Sequence, residues 1–368
     1  MRLNAAVAAT ACLVLFALTG CLATPVAAPT AIPSPSPSPT PTPEASGPLT
    51  CDELVPPELV AATLEGGDGI AVEPVPAAKG SVAFDQLLLE GAGGLACTWR
   101  VGSGMPEYNA PSDWAYLTVE VLPGAGSQWV PLSMGDGPST MTRRIAGLDA
   151  SISGGDPGWA ISAPVGGSWV RATISAAALT STGGRFLGLG AETMTDRLAQ
   201  VGEVAFPVLQ QADDSRLTWP AVALRQGDAA CNGGLDESGI LDALEVPEGS
   251  AAEIVASEPD AAAPGSFEEA VDAAARTFTC DVQVDGRTVL TITTARGFAS
   301  RFDRLSAVDA NAALVPFELA DAPADARAVG NGADGRAAVA YLAIGDSAYA
   351  IQGAGAPAVA QAIVAQAF

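Results

Sequence analysis

Apolar and polar residues alternate in two pairs of short runs. Thr98-Trp99-Arg100-Val101 and Asp281-Val282-Gln283-Val284 place an apolar side chain at every second position, and Leu117-Thr118-Val119-Glu120-Val121 and Leu290-Thr291-Ile292-Thr293-Thr294 do nearly the same. A period of two is that of a strand with one covered face. Further on, Trp159 to Thr173 and Ala337 to Ile351 carry apolar runs on either side of Gly166-Gly167 and Gly345-Asp346, two-residue turns of the kind that close hairpins. Helical spacing shows elsewhere. Pro56-Pro57-Glu58-Leu59-Val60 sets proline in a first turn, where its missing N–H is not needed. Ile240, Leu241 and Leu244 lie one turn apart within Asp236 to Val246, and Ser266 with Glu269 forms a capping box for a helix ending near Phe278. Glu192 to Gln211 and Pro357 to Phe368 close the two series as helices, with Pro207 expected to kink or end the first.

These elements fall into two ordered copies. Cys51 and Cys231 are 180 residues apart, Cys97 and Cys280 are 183 apart, as are Phe84 and Phe267, and the two hairpin turns are 179 apart. Such a series reads as internal duplication. Each copy runs helix, helix, strand, strand, an irregular or helical stretch, hairpin, helix. Helices segregated around a mainly antiparallel sheet make an α+β unit. The expected division is a first unit over 49–212, a linker over 213–224 and a second unit over 225–368. Four cysteines allow three pairings. Cys51–Cys97 and Cys231–Cys280 keep each bridge within one copy, tying its first helix to its first strand. A metal site is the poorer reading, since no Cys-x-x-Cys pair and no histidine accompany these cysteines.

The first 48 residues have a different character. Arg2 is the one charge before residue 21, and an apolar stretch from Leu3 to Leu18 leads to Leu18-Thr19-Gly20-Cys21. A basic start, a short apolar core and small residues before a cysteine make a secretory signal over 1–20. The last four residues resemble the bacterial lipobox. That resemblance implies cleavage before Cys21, acylation of its thiol and amine (palmitate among the expected chains), and a lipid anchor on the extracytoplasmic face of the cell membrane. Two acyl chains suffice for stable anchoring. A membrane-spanning anchor is the competing reading, but the stretch is short of the roughly 20 residues a spanning helix needs. From Thr24 to Pro48, nine of 25 residues are proline, mixed with Ser, Thr and Ala. This composition favours extended polyproline II over a core. At about 3.1 Å per residue it would form a stalk of roughly 75 Å at most.

Composition narrows the function. The chain has 368 residues and a net charge of −24, which argues against nucleic acid as a partner. It contains no histidine, which excludes Ser-His-Asp and Cys-His catalysis and every His-dependent metal site. No cofactor and no metal are expected. Cysteine pairing fits an exported protein.

Cys51-Asp52-Glu53-Leu54 followed by Pro56-Pro57-Glu58, then Cys97-Thr98-Trp99, resembles the lipoprotein domains of unassigned function that are common in actinobacteria. These have a Cys-x-x-Leu helix start and a Cys-x-Trp strand and are similar to PsbP-type α/β/α sandwiches. The resemblance implies a cell-envelope location and a fold class rather than an activity. The second copy departs from it: Val282 stands where the motif has Trp, and Asn232-Gly233-Gly234 blurs the helix start.

Candidate chemistry is sparse. Asn232 to Asp272 holds eleven acids and no base, and is read as a solvated helix face and loop, since calcium would need converging oxygens. Gly330-Asn331-Gly332-Ala333-Asp334-Gly335 matches a dinucleotide fingerprint as text, but it precedes a strand instead of opening a helix, and is read as a turn. All six tryptophans lie at or before 219. Trp99 and Trp169 fall on strands and belong to the core. Trp114 and Trp129 fall in Gly/Pro-rich segments and are the candidate ligand contacts. The sequence thus points to a lipid-anchored, non-catalytic binding or accessory protein with a small-molecule, glycan or protein ligand. The alternatives are a hydrolase using paired carboxylates, marked by two buried carboxyls sharing a pocket, and a structural partner in an envelope complex, marked by a large exposed apolar patch.

Overall fold

The computed structural model describes residues 47–367, apart from 67–68, 76–80, 103–112, 135–136, 139–140, 156–157, 177–183, 226–236, 258, 260, 307–313 and 332–338. The signal, Cys21 and the proline-rich spacer therefore lie outside the described residues.

The first half contains α1 (Cys51–Leu54), α2 (Pro57–Thr63), β1 (Glu73–Val75), α3 (Ser81–Gly91), β2 (Leu95–Val101), β3 (Ala115–Leu122), β4 (Ser133–Met134), β5 (Gly137–Pro138), β6 (Thr142–Ile145), β7 (Leu148–Gly155), β8 (Gly158–Val165), β9 (Ser168–Ala176) and α4 (Ala191–Gln211). The second contains α5 (Glu237–Ala243), β10 (Ala252–Ser257), α6 (Phe267–Ala275), β11 (Phe278–Val284), β12 (Arg287–Arg296), α7 (Asp303–Ser306), β13 (Leu314–Pro316), β14 (Arg327–Asn331), β15 (Val339–Ile344), β16 (Ser347–Gly353) and α8 (Ala356–Ala367). Two seven-stranded antiparallel sheets result, ordered β1-β2-β3-β9-β8-β7-β6 and β10-β11-β12-β16-β15-β14-β13. Position by position the orders are the same, and this is an α+β fold built twice.

The pairing registers carry the duplication to single residues. Cys97 lies opposite Val119 and Val119 opposite Ala172; Cys280 lies opposite Ile292 and Ile292 opposite Ile351. At the hairpins Val165 faces Ser168 and Ile344 faces Ser347. A slip of one residue would turn every apolar side chain to the wrong face, so a shared register means a shared core pattern. Gly166 and Gly167 both take positive φ (55° and 83°), the backbone that a tight two-residue hairpin turn requires.

Each sheet covers one face with its own helices. In the first half, Cys97, Trp99, Leu117, Val119, Ile161 and Val170 pack with Leu54 of α1, Val60 of α2 and Leu198 and Phe206 of α4. In the second, Cys280, Val282, Ile292, Leu342 and Ile351 pack with Ile240 of α5 and Val359 and Ile363 of α8. Val282 occupies the place of Trp99, and the smaller side chain faces the same inner layer.

The remaining faces meet. Phe84, Leu87 and Leu88 of α3, Trp169 of β9, Phe267 and Val271 of α6, Phe298, Phe302 and Tyr341 form one continuous buried cluster drawn from both halves. Residues 46–368 accordingly form one compact unit. The expected linker is part of that body. Leu217 and Trp219 are buried with the first core, the Trp219 indole N–H donates to the Leu49 carbonyl at 2.8 Å, and Val222 and Leu224 pack on the shared cluster.

Three local expectations need correction. Pro207 does not end α4, which runs on to Gln211. The carbonyl it leaves without an N–H donor belongs to Glu203, on the exposed side and open to solvent, while buried Phe206 and Leu209 hold the last turn. The capping box at Ser266 is half formed. Ser266 Oγ accepts from the Glu269 N–H at 3.2 Å, but Glu269 accepts from Gly265 N–H at 2.7 Å, one residue too early. The stretch between the second strand and the hairpin in each half is also strand-bearing, contributing β6 and β7 to one sheet and β13 and β14 to the other. Gly330 and Asn331 end β14, and Asn331 Oδ1 accepts from Val339 N–H at 2.9 Å, so the described part of the glycine-rich run belongs to a sheet.

Candidate functional site

The seam between the halves gathers the chain's unusual chemistry. Each half sends one helix onto the sheet of the other. Phe84 of α3 stacks on Tyr341 of β15, with ring centroids 5.6 Å apart, and Phe267 of α6 meets Trp169 of β9 edge-on at 5.8 Å. Burying such a ring fully contributes about 1.5–3 kcal/mol. Trp169 is fixed from behind, its indole N–H donating to Ser162 Oγ at 2.9 Å.

Beside these rings lies an ionic triad. Arg171 of β9 is paired with Glu120 of β3 at 2.9 Å and with Glu268 of α6, and its guanidinium lies 4.5 Å over the Phe267 ring. Side-chain exposure is 12% for Arg171 and 2% for Glu120. Burial opposes the charge on Arg171, but the Glu120 and Glu268 carboxylates outweigh it and raise its pKa. For Glu268 burial likewise works against ionisation, and Arg171 outweighs it and lowers the pKa.

Among the described residues, two further carboxyls at this seam form no such ion pair. Burial, then the charges of Asp272, Glu120 and Glu268, push Asp85 of α3 up to about 7. Burial pushes Asp272 of α6 up to about 6, although Thr277 Oγ1 donates to it at 3.0 Å. The duplication explains the contrast. Asp85 corresponds to Glu268, as Phe84 does to Phe267, but the second-sheet positions that correspond to Arg171 and Glu120 are Ala350 and Thr293. The second sheet therefore offers Asp85 no matching guanidinium.

The expected ligand contacts lie elsewhere. Trp114 is 4% exposed and packs at 5.7 Å, tilted, against the Tyr116 ring. Trp129 is partly buried against the shared cluster, and its indole N–H donates to Ser162 Oγ at 3.0 Å. Trp114 is buried where the chain enters β3, and the 3-10 turn before Trp129 folds that residue onto β8. Trp99, Trp159 and Trp169 are core residues. Cys51 and Cys97 form a disulfide with Cα atoms 5.5 Å apart. Cys280 is disulfide-bonded as well, and its expected partner Cys231 lies outside the described residues.

Described residues form surface cavities at three places, one of them at the seam. One of about 480 Å³ lies in the second half, walled by Phe302, Pro316, Phe317, Leu319 and Val329, with Arg327 at its edge. Arg327 is held there by Asp303 and by the Ala299 carbonyl at 2.6 Å, and it lies 5.2 Å over the Phe302 ring. Another of about 550 Å³ is formed by Ala61, Glu65, Ile70, Val72 and Arg185, the last anchored through Nε to the Leu64 carbonyl at 2.8 Å. A smaller one of about 290 Å³ opens at the seam between Leu122, Gln128, Ala261 and Ala270. Asp85 and Asp272 line none of these three. Among the described residues no group of three or more acids and cysteines is arranged to hold a metal ion, and no helix is long and apolar enough to cross a membrane.

Fold and seam together define a class: a tandem-duplicated α+β protein whose two sheets share a central helical layer. No family model, curated protein or solved structure matches the chain.

Proposed function

We propose that the protein is a lipid-anchored lipoprotein on the extracytoplasmic face of the cell membrane, of the actinobacterial type, acting as a non-catalytic binding or accessory module of the envelope. The observation that carries this reading is the order Leu18-Thr19-Gly20-Cys21, proline-rich spacer, then a body stapled by Cys51–Cys97. A disulfide of that kind supports an oxidising compartment. Fatty-acid labelling of producing cells checks the anchor: wild type takes up label and Cys21→Ala does not. Equal labelling of both removes the proposal.

The cavity walled by Phe302, Phe317 and Val329 is the place assigned to a small, largely apolar ligand. Its volume lies within the range of ligand sites, and aromatic walls with one cation at the rim suit an amphipathic molecule. Molecules co-purifying with the native protein are measured by mass spectrometry for wild type and Phe317→Asp. A species held by wild type and lost from the variant supports the assignment. Equal recovery from both, or recovery from neither, overturns it.

A further inference from the structure

Asp85 and Asp272 belong to the two helices, α3 and α6, that join the halves. The two helices pack against each other in the shared cluster; Asp272, Glu120 and Glu268 act on Asp85, and Glu268 and Glu269 act on Asp272, so the charge the two carry bears on whether the halves stay together. We propose that this seam is a pH-sensitive latch: with Asp85 and Asp272 protonated, α3 and α6 lie tightly against each other, and loss of those protons loosens the contact between the halves while each outer core remains intact.

The surroundings of the pair support this. On α6, Glu268 is held by Arg171, and Glu269 is turned back to the Gly265 N–H. On β3, Glu120 is held by the same Arg171. Arg171 also draws the pKa of Asp85 downward, but it already balances two carboxylates and burial with the acidic neighbours outweighs it. On β2, Arg100 is engaged by Glu73 at 3.0 Å. At the far end of α3, Glu90 is bound by Arg304 of α7, whose Nε donates at 2.8 Å. Arg301 donates to the Pro220 carbonyl at 2.6 Å, and Asp303 is bound by Arg327. On β15, the Tyr341 hydroxyl is kept neutral by burial, with the charge of Asp85 adding to that effect. The named cations therefore have carboxylate or carbonyl partners of their own. Two new negative charges here meet those of Glu120, Glu268 and Glu269 across a partly desolvated interface, where repulsion between like charges is weakly screened.

The outer layers lack this chemistry. The core under α8 is built of Ile240, Ile292, Leu342, Val359 and Ile363, and that under α4 of Leu117, Ile161, Leu198 and Phe206. A rise in pH therefore acts on the central layer first. The charge change falls near neutrality, with Asp272 titrating near 6 and Asp85 near 7.

Hydrogen–deuterium exchange of the full chain, followed by mass spectrometry between pH 5 and pH 8 and corrected for the intrinsic chemical rate, tests the latch. Protection of α3 and α6 should fall at least tenfold across that interval, with α4 and α8 unchanged, and Asp85→Asn/Asp272→Asn should abolish the fall. Asp85→Asn alone, which keeps the Thr277–Asp272 hydrogen bond, should reduce it and provides the comparison if the double variant does not fold. Protection of α3 and α6 that is independent of pH would overturn the proposal. So would a fall shared equally by α4 and α8, or an undiminished fall in the variants.

Discussion

Arg171 shows how much one side chain can decide. It neutralises Glu120 and Glu268, which come from different halves, and its guanidinium covers Phe267. Removing one member of a buried ion pair leaves uncompensated charge and costs about 3–5 kcal/mol. Arg171→Met is expected to destabilise by that order in urea unfolding. Replacing all three members with apolar residues of similar volume should recover much of the loss, because the desolvation cost then disappears as well. Gly91, at the end of α3, is a steric counterpart: a Cβ there would run into the Phe298 ring. Gly91→Ala should cost about 1–3 kcal/mol by overpacking, read from the same unfolding curves. Neither residue could be picked out beforehand. Arg171 sits in an ordinary alternating strand, and Glu268 and Asp272 belong to an acid-rich stretch whose expected role was a solvated face. What turns them inward is α6 lying on the other half's sheet, which no local pattern encodes.

At the scale of elements, the short α1 is held by several weak devices and one strong one. Thr50 and Glu53 cap it reciprocally, with the Thr50 N–H donating to Glu53 at 2.9 Å, and Arg216 reaches the same carboxylate at 2.7 Å. A four-residue helix is not stable alone. The Cys51–Cys97 bridge ties it to β2 across a separation of 46 residues. In the chain-entropy account a loop of that size is worth roughly 4 kcal/mol. Cys51→Ala/Cys97→Ala should lose about that much in denaturant unfolding, with the earliest exchange in α1. The strands with clean alternation, β2, β3, β11 and β12, were legible, as were both hairpins, because sheets with one covered face imprint a period of two. The edge strands β1, β10 and β13 were not. They are short or half exposed, so burial writes little pattern into them.

For the whole molecule, the seam makes two α+β units into one body. A chain cut to residues 47–212 would expose Phe84, Leu87, Leu88 and Trp169 to water, a patch large enough to promote association. Light scattering should find this fragment aggregated where residues 47–367 are monodisperse. Stability of the whole should also depend on pH with a defined sign. The pKa values of Asp85 and Asp272 are higher folded than the ordinary 3.8, so the folded state binds more protons between that value and about 7. Unfolding free energy therefore falls as pH rises through this window and levels off above it. Glu268 has the opposite sign, its pKa being lowered, but it stays ionised from pH 5 upward and adds no slope there. At about 1.36 kcal/mol per tenfold change in proton affinity, the Asp85 penalty is up to about 4 kcal/mol. Asp85→Asn should be more stable than wild type at pH 8 by a part of that amount and show a flatter profile in urea unfolding from pH 5 to 8.

The sequence by itself determined the duplication, the class of each unit, its two alternating strands and its hairpin, and the choice of Cys51–Cys97 as a bridge within one copy. All of these follow from spacing and periodicity along the chain, because a strand with one covered face writes its period of two into consecutive residues. Only the tertiary structure decided that the two units share a central layer, that Trp114 is buried beside Tyr116 and Trp129 is bonded to Ser162, and that Asp85, Asp272 and the Arg171 triad belong to one seam. Those depend on which faces of distant elements come together, and desolvation and charge pairing act across that distance without leaving a local signature.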